Sequence, residues 1–185
     1  MNRKIISIFL AVILSALLAS CDSANATPNY RATFQPEITK TETGNTLIVT
    51  DNFTAVILTK DFYESHNPFV ANEYWTPTTE YWTPELDQIL YIEAHLDEFL
   101  AQNGSKFNSG NAPTKEKLAR YGRQYYGTSE NNQRIIIGQY FCLFNDDRDW
   151  KNYFVSVKGG GDCYFGVWYD PESRTFIALG VNSRE

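Results

Sequence analysis

The 185-residue chain holds three cysteines, two histidines and no apolar run long enough to cross a bilayer. Each shortage excludes a class of protein. Ile5 to Leu18 is the longest apolar stretch, broken only by Ser7 and Ser15. At 1.5 Å per residue it makes about 21 Å of helix, short of the roughly 30 Å hydrocarbon core. His66 and His95 are the only histidines, and Cys142 and Cys163 alone cannot supply the usual four ligands of a zinc site. No G-x-S-x-G, H-E-x-x-H or Cys/His dyad spacing occurs, so the sequence assigns no catalytic residue, metal ligand or cofactor. Basic side chains are outnumbered 16 to 22, for a net charge of −6. An acidic chain is poorly matched to a phosphate backbone, which argues against a nucleic-acid partner.

Arg3 and Lys4 precede the apolar run and small residues follow it, the pattern of a secretory signal. The run ends in Leu18-Ala19-Ser20-Cys21, which resembles the lipobox of bacterial lipoproteins. That resemblance implies cleavage before Cys21 and a diacylglyceryl thioether on its sulfur. Each buried CH₂ contributes about 0.8 kcal/mol, so two or three acyl chains anchor the protein durably. Ala24-Asn25-Ala26 is a competing A-x-A cleavage site, but it lies farther past the apolar run. Asp22 resembles the signal that retains lipoproteins in the inner membrane of enteric bacteria. The expected location is therefore the cell envelope, with the domain outside the cytoplasm and on the periplasmic side of the inner membrane if Asp22 acts so.

Three segments follow: a signal peptide over 1–20, a lipid-anchored tether over 21–45, and one domain over 46–185. The tether is polar and carries Pro28 and Pro36. The remaining chain is long enough to bury a core, and a 43% apolar share fits a folded domain. Thr46–Thr50 and Phe53–Thr59 are β-branched and apolar about Asp51-Asn52, which predicts a pair of strands. Residues 61–82 are aromatic and irregular, with a pentapeptide echo in which 73–77 recurs as 80–84. The spacing of Leu86, Ile89, Ile92, Leu96, Phe99 and Leu100 predicts an amphipathic helix of about 19 residues, with Thr83 as N-cap, Pro84 in the first turn and Asn103-Gly104 as its stop. Strand patterns follow over 133–144, 153–158, 163–169 and 175–181, with 121–126 pairing the first of them. The expected fold class is α+β, one main amphipathic helix packed on a twisted antiparallel sheet.

Cys142 and Cys163 sit in an oxidising compartment, where pairing is allowed. In a plain meander the 153–158 strand separates theirs by about 9–10 Å, beyond the roughly 7 Å reach of a disulfide. Either the pair is not bridged or the strand order is not a plain meander.

The order YWTP, helix, Tyr-Gly-Arg-Gln-Tyr-Tyr-Gly (121–127), Gly-Gly-Gly-Asp-Cys-Tyr-Phe (159–165) and Tyr-Asp (169–170) resembles a family of uncharacterised bacterial secreted proteins and lipoproteins over residues 80–183. The resemblance implies no activity and no site residue. The chain departs from that family's Asn-Gly ending at Asn182-Ser183.

Weaker signals have plain readings. Gly159-Gly160-Gly161-Asp162 has the composition of a phosphate loop, but an aromatic strand rather than a helix follows, so a turn between strands is expected. Residues 145–149 space oxygens as a calcium loop does, yet Trp150 and Ser156 replace its glycine and glutamate. Asp87, Glu93, Asp97, Glu98 and His95 lie off the helix's apolar stripe and are expected on a solvated face. Arg120 and Arg123, set among tyrosines, suit an anion or stacking on the rings. Tyr74, Trp75, Tyr81 and Trp82 are the candidate surface for a partner or glycan, with core packing as the alternative. The functional expectation is a non-enzymatic, membrane-anchored domain that binds an envelope protein in an accessory role. The alternative is a periplasmic cell-wall enzyme or glycan-binding module.

Overall fold

A computed structural model describes residues 35–66, 80–130, 133–143 and 149–184. In chain order its elements are β1 (Glu37–Lys40), β2 (Thr46–Val49), β3 (Thr54–Ile57), α1 (Lys60–His66), β4 (Glu80–Trp82), α2 (Leu86–Gln102), α3 (Lys115–Leu118), β5 (Tyr121–Glu130), β6 (Gln133–Cys142), β7 (Tyr164–Asp170) and β8 (Thr175–Val181). All eight strands share one sheet, ordered β1-β2-β3-β5-β6-β7-β8, with β4 also on β5.

The sheet is mixed, not antiparallel as expected. β3 runs parallel to β5, from Thr54 opposite Gly122 to Ile57 opposite Tyr125. β4 runs antiparallel to the far half of the same strand, with Trp82 opposite Gly127. The chain leaves β3, passes through α1, β4, α2 and α3 and returns to β5, and such a crossover brings the second strand in parallel. The strand β1 lies inside the stretch whose composition reads as tether. All four of its residues are exposed, so it carries no apolar alternation to mark it.

β5 shows why both faces of the sheet are covered. Tyr121 to Gly127 are all buried, with successive side chains on opposite faces. Tyr121 and Tyr125 join a core with Ile89, Ile92, Leu96 and Leu100 of α2, together with Ala55, Ile136, Val167 and Leu179 from the sheet. Tyr126 faces the other way, into a second cluster with Val56, Leu58, Phe62 and Tyr63.

The helix α2 begins later than Thr83. Glu85 is its N-cap, in an extended conformation, and the Glu85 N–H donates to Gln88 Oε1 at 2.9 Å in a capping box. Thr83 Oγ1 instead accepts from the Lys60 N–H at 3.0 Å, at the start of α1. None of the helices among the described residues is long and apolar enough to cross a membrane.

Residues 153–158 form no strand. β6 and β7 pair directly, from Ile136 opposite Tyr169 to Phe141 opposite Tyr164. One step beyond that last rung, Cys142 and Cys163 stand with Cα atoms 5.0 Å apart and are joined by a disulfide. The order is thus not the meander that would have kept them apart. Closing a loop of this size contributes about 3 kcal/mol in the chain-entropy account.

The bridged loop contains a strap, residues 150–160, that crosses the sheet face opposite α2. Buried Gln124 holds its middle: Nε2 donates to Trp150 O at 2.8 Å and Tyr153 O at 2.6 Å, and Oε1 accepts from the Val155 N–H at 2.9 Å. Asn182, just past β8, holds its far end, with Nδ2 donating to Val157 O at 2.9 Å and Gly159 O at 2.8 Å. Phe154 packs edge-on against Tyr63 and Tyr126, and Trp150 edge-on against Phe141.

Candidate functional site

Two polar arrangements stand out, one on each face of the sheet. Beneath α2, Glu93 lies on the helix between Ile89 and Leu96, and its side chain is only 7% exposed. Its Oε1 is 2.8 Å from Arg123 Nε, and the Arg123 side chain is 3% exposed. The Tyr125 hydroxyl donates to the same carboxylate oxygen. The Tyr140 hydroxyl oxygen is 2.5 Å from that of Tyr125, which leaves Tyr140 to donate to Tyr125. Arg123 completes its shell on the backbone, with Nη1 donating to Tyr121 O at 2.8 Å and Nη2 to Leu118 O at 3.0 Å. Its guanidinium also lies over the rings of Phe53 and Tyr140, at 5.2 and 5.6 Å. The expected solvated position for Glu93 is therefore corrected. It follows Ile89 by four residues and precedes Leu96 by three, spacings that place it on the stripe itself.

Burial shapes the proton affinities here. It pushes the Glu93 carboxyl up, while Arg123 and the Tyr125 hydroxyl pull it back. Burial and the neighbouring Glu93 carboxylate push the Tyr125 and Tyr140 phenols well above their usual value. Neither Glu93 nor Arg123 lines the clefts of the opposite face. The network locks helix to sheet. Of the two readings for Arg123, stacking on rings is the one seen, joined by an ion pair.

On the strap face two clefts flank residues 155–157. One, of about 370 Å³, is lined by Phe141, Leu143, Trp150, Tyr153, Val155 and Tyr164 among others. Two of these project apolar surface: Leu143 is 43% exposed and Tyr153 65% exposed. The other, of about 340 Å³, includes Gln139, Lys158, Gly166, Trp168, Gly180 and Asn182 in its wall. Among the described residues neither is lined by a carboxylate or a histidine. Among the described residues no group of three or more Cys, His, Asp or Glu side chains is gathered to hold a metal ion.

The sequence-predicted residues are scattered. Cys21, Tyr74 and Trp75 lie outside the described residues, as do 144–148, most of the calcium-like stretch. Tyr81 and Trp82 are half-buried on β4. Tyr81 packs on Tyr63 at 4.6 Å, and burial, helped by Glu64, raises its phenol. Trp82 covers Gly127, where a Cβ would fall 2.3 Å from the indole. Its Nε1–H donates to Thr128 O at 2.9 Å, and Arg134 lies over its ring at 3.6 Å. His95 is exposed and donates from Nδ1 to Tyr91 O at 2.8 Å.

Gly159, Gly160 and Gly161 all take positive φ, at 78°, 85° and 59°, as a glycine turn requires. The turn joins the strap to β7 rather than strand to strand. Asp162 spends its carboxylate on the loop after α2, accepting from the N–H groups of Asn108 at 2.6 Å and Ser109 at 2.9 Å. Sequence reading missed Gln124 and Trp168. Gln124 carried a signal, as an amide between Arg123 and two tyrosines in a strand too apolar to be half-solvated. Comparison with family models, with curated proteins and with solved structures finds no match to this chain.

Proposed function

We propose that this chain is a bacterial envelope lipoprotein, anchored through Cys21, whose domain binds a protein partner in a non-enzymatic, accessory role. Asp22 keeps it on the inner membrane in this reading, with the domain on the periplasmic side. The observation that carries the binding role is the cleft beside Cys142, where Leu143 and Tyr153 hold exposed apolar surface next to buried Phe141. Exposed apolar surface around a concave site is costly in water and is typical of surfaces that await a partner. Among the described residues the lining holds phenols and apolar side chains rather than a carboxylate or a histidine, which favours association over catalysis as the use of this cleft.

The test is cross-linked capture of the lipidated, full-length protein from its native envelope, with Leu143→Ser/Tyr153→Ser run in parallel. A stoichiometric partner lost in the double variant is the expected result. Capture of the same partner by both proteins, or of nothing above background, overturns the reading. Cys21→Ser separately tests the anchor: it is expected to release the domain from the membrane or leave the precursor uncleaved.

A further inference from the structure

We infer that the cleft on the other side of the strap, built around Trp168, is a glycan subsite that takes a pyranose ring bearing an acetamido group. This goes beyond the partner-binding reading and uses a different cleft. Gly166 and Gly180 face each other across β7 and β8 and leave a patch of sheet without side chains. The indole of Trp168 lies over this patch. A Cβ at Gly166 would sit 3.3 Å from it, and one at Gly180 3.2 Å. One side of the indole therefore rests on backbone, and Trp168 presents the remainder to the cleft. A flat, held aromatic surface suits the C–H face of a sugar ring, which is apolar in the middle and hydroxylated at its rim.

The polar groups narrow the ligand further. Gln139 lines the cleft; its Nε2 donates to the Tyr126 hydroxyl at 3.4 Å, while its buried Oε1 accepts from no donor among the described residues. An unpaired buried carbonyl oxygen is unfavourable and is relieved by a ligand N–H or O–H. An aliphatic chain offers no such donor. A phosphodiester or fully ionised phosphate offers only acceptors, which would oppose Gln139 and leave Trp168 unused. Lys158, exposed on the same wall, supplies the complementary donor. An acetamido group carries both halves of this pattern, an N–H for Gln139 and a carbonyl for Lys158, beside a ring that stacks on Trp168. Asn182 has its Nδ2 committed to Val157 and Gly159, so it fixes the end of the cleft.

The test titrates the full-length lipidated protein in detergent with a tetramer of β-1,4-linked N-acetylglucosamine, read by calorimetry and tryptophan fluorescence. The matching glucose tetramer is the comparison. Saturable binding of the acetamido oligomer in preference to the glucose oligomer is expected. Trp168→Ala should weaken it roughly tenfold or more, and Trp168→Phe less. Gln139→Leu keeps the aromatic surface and should erase the preference between the two oligomers, which keeps the test decisive if Trp168→Ala misfolds. Leu143→Ser/Tyr153→Ser should bind the oligomer as the unaltered protein does, whatever becomes of the protein partner. Absence of saturable binding, equal binding of the two oligomers by the unaltered protein, or an undiminished affinity in a folded Trp168→Ala variant overturns the proposal.

Discussion

Under α2 the sheet presents Arg123, Tyr125 and Tyr140 to a carboxylate on the helix. One residue along the same strands, on the reverse face, it presents Gln124 and Gln139 to an irregular strap. The two faces show two ways of covering a sheet. A helix satisfies its own backbone and needs from the sheet only apolar contact, so a single charged pair can sit in that contact as a lock. A strap has no internal ladder, so its carbonyl and N–H groups must be met from the sheet below. Gln124 does so three times with one side chain. On the helix face the contact around Glu93 and Arg123 is buried. The strap face, pinned at Gln124 and Asn182, keeps open clefts on both sides of residues 155–157.

The largest effect is expected from breaking the lock. Glu93→Ala leaves the Arg123 guanidinium buried without its carboxylate and should cost about 3–5 kcal/mol, read as a shifted denaturant midpoint. The double variant Glu93→Leu/Arg123→Met removes both charges and should recover most of that loss. If it is as unstable as Glu93→Ala, the network does more than neutralise itself, and the view of it as a lock fails.

Alkaline titration compares the faces directly. A phenol whose folded value lies above its unfolded value of about 10 contributes stability that is intact below that pH and is lost as pH rises through the folded value. Tyr126, on the strap face, is pushed up to about 12, mainly by burial. Over that window it should forfeit roughly 2–3 kcal/mol. Tyr125 and Tyr140 add losses of the same sign on the helix face. Tyrosinate absorbance that reaches the full count of twelve phenols near pH 10, ahead of any unfolding, would contradict the burial of all three.

The smallest effect belongs to the strap. Gln124→Leu deprives Trp150 O, Tyr153 O and the Val155 N–H of their shared partner and should cost about 1–3 kcal/mol. Hydrogen exchange at Val155 should quicken while the core amides of α2 stay protected. Equal loosening of both faces would mean that helix and strap are not separable units.

Much of this was legible residue by residue. The pattern from Ile89 to Leu100 marked the helix, and the β-branched runs marked β2, β3, β6 and β8, because periods of 3.6 and 2 are local properties of a chain with one buried face. The strap was misread as a strand for the same reason: Tyr153 to Lys158 alternate, and alternation reports a face rather than a hydrogen-bonded neighbour. Glu93 was misread because its charge was weighed above its position. Trp168 gave no signal, since its role depends on glycines that meet only across the β7–β8 ladder.

The sequence by itself determined the periodic elements and the acidic balance. These depend on neighbours a few residues apart. Only the tertiary structure decided that β6 and β7 lie side by side and bring Cys142 to Cys163, that β5 is covered on both faces, and that Glu93 meets Arg123. Such pairings join residues tens of positions apart, and the energy that selects them arises only when a whole core is buried at once.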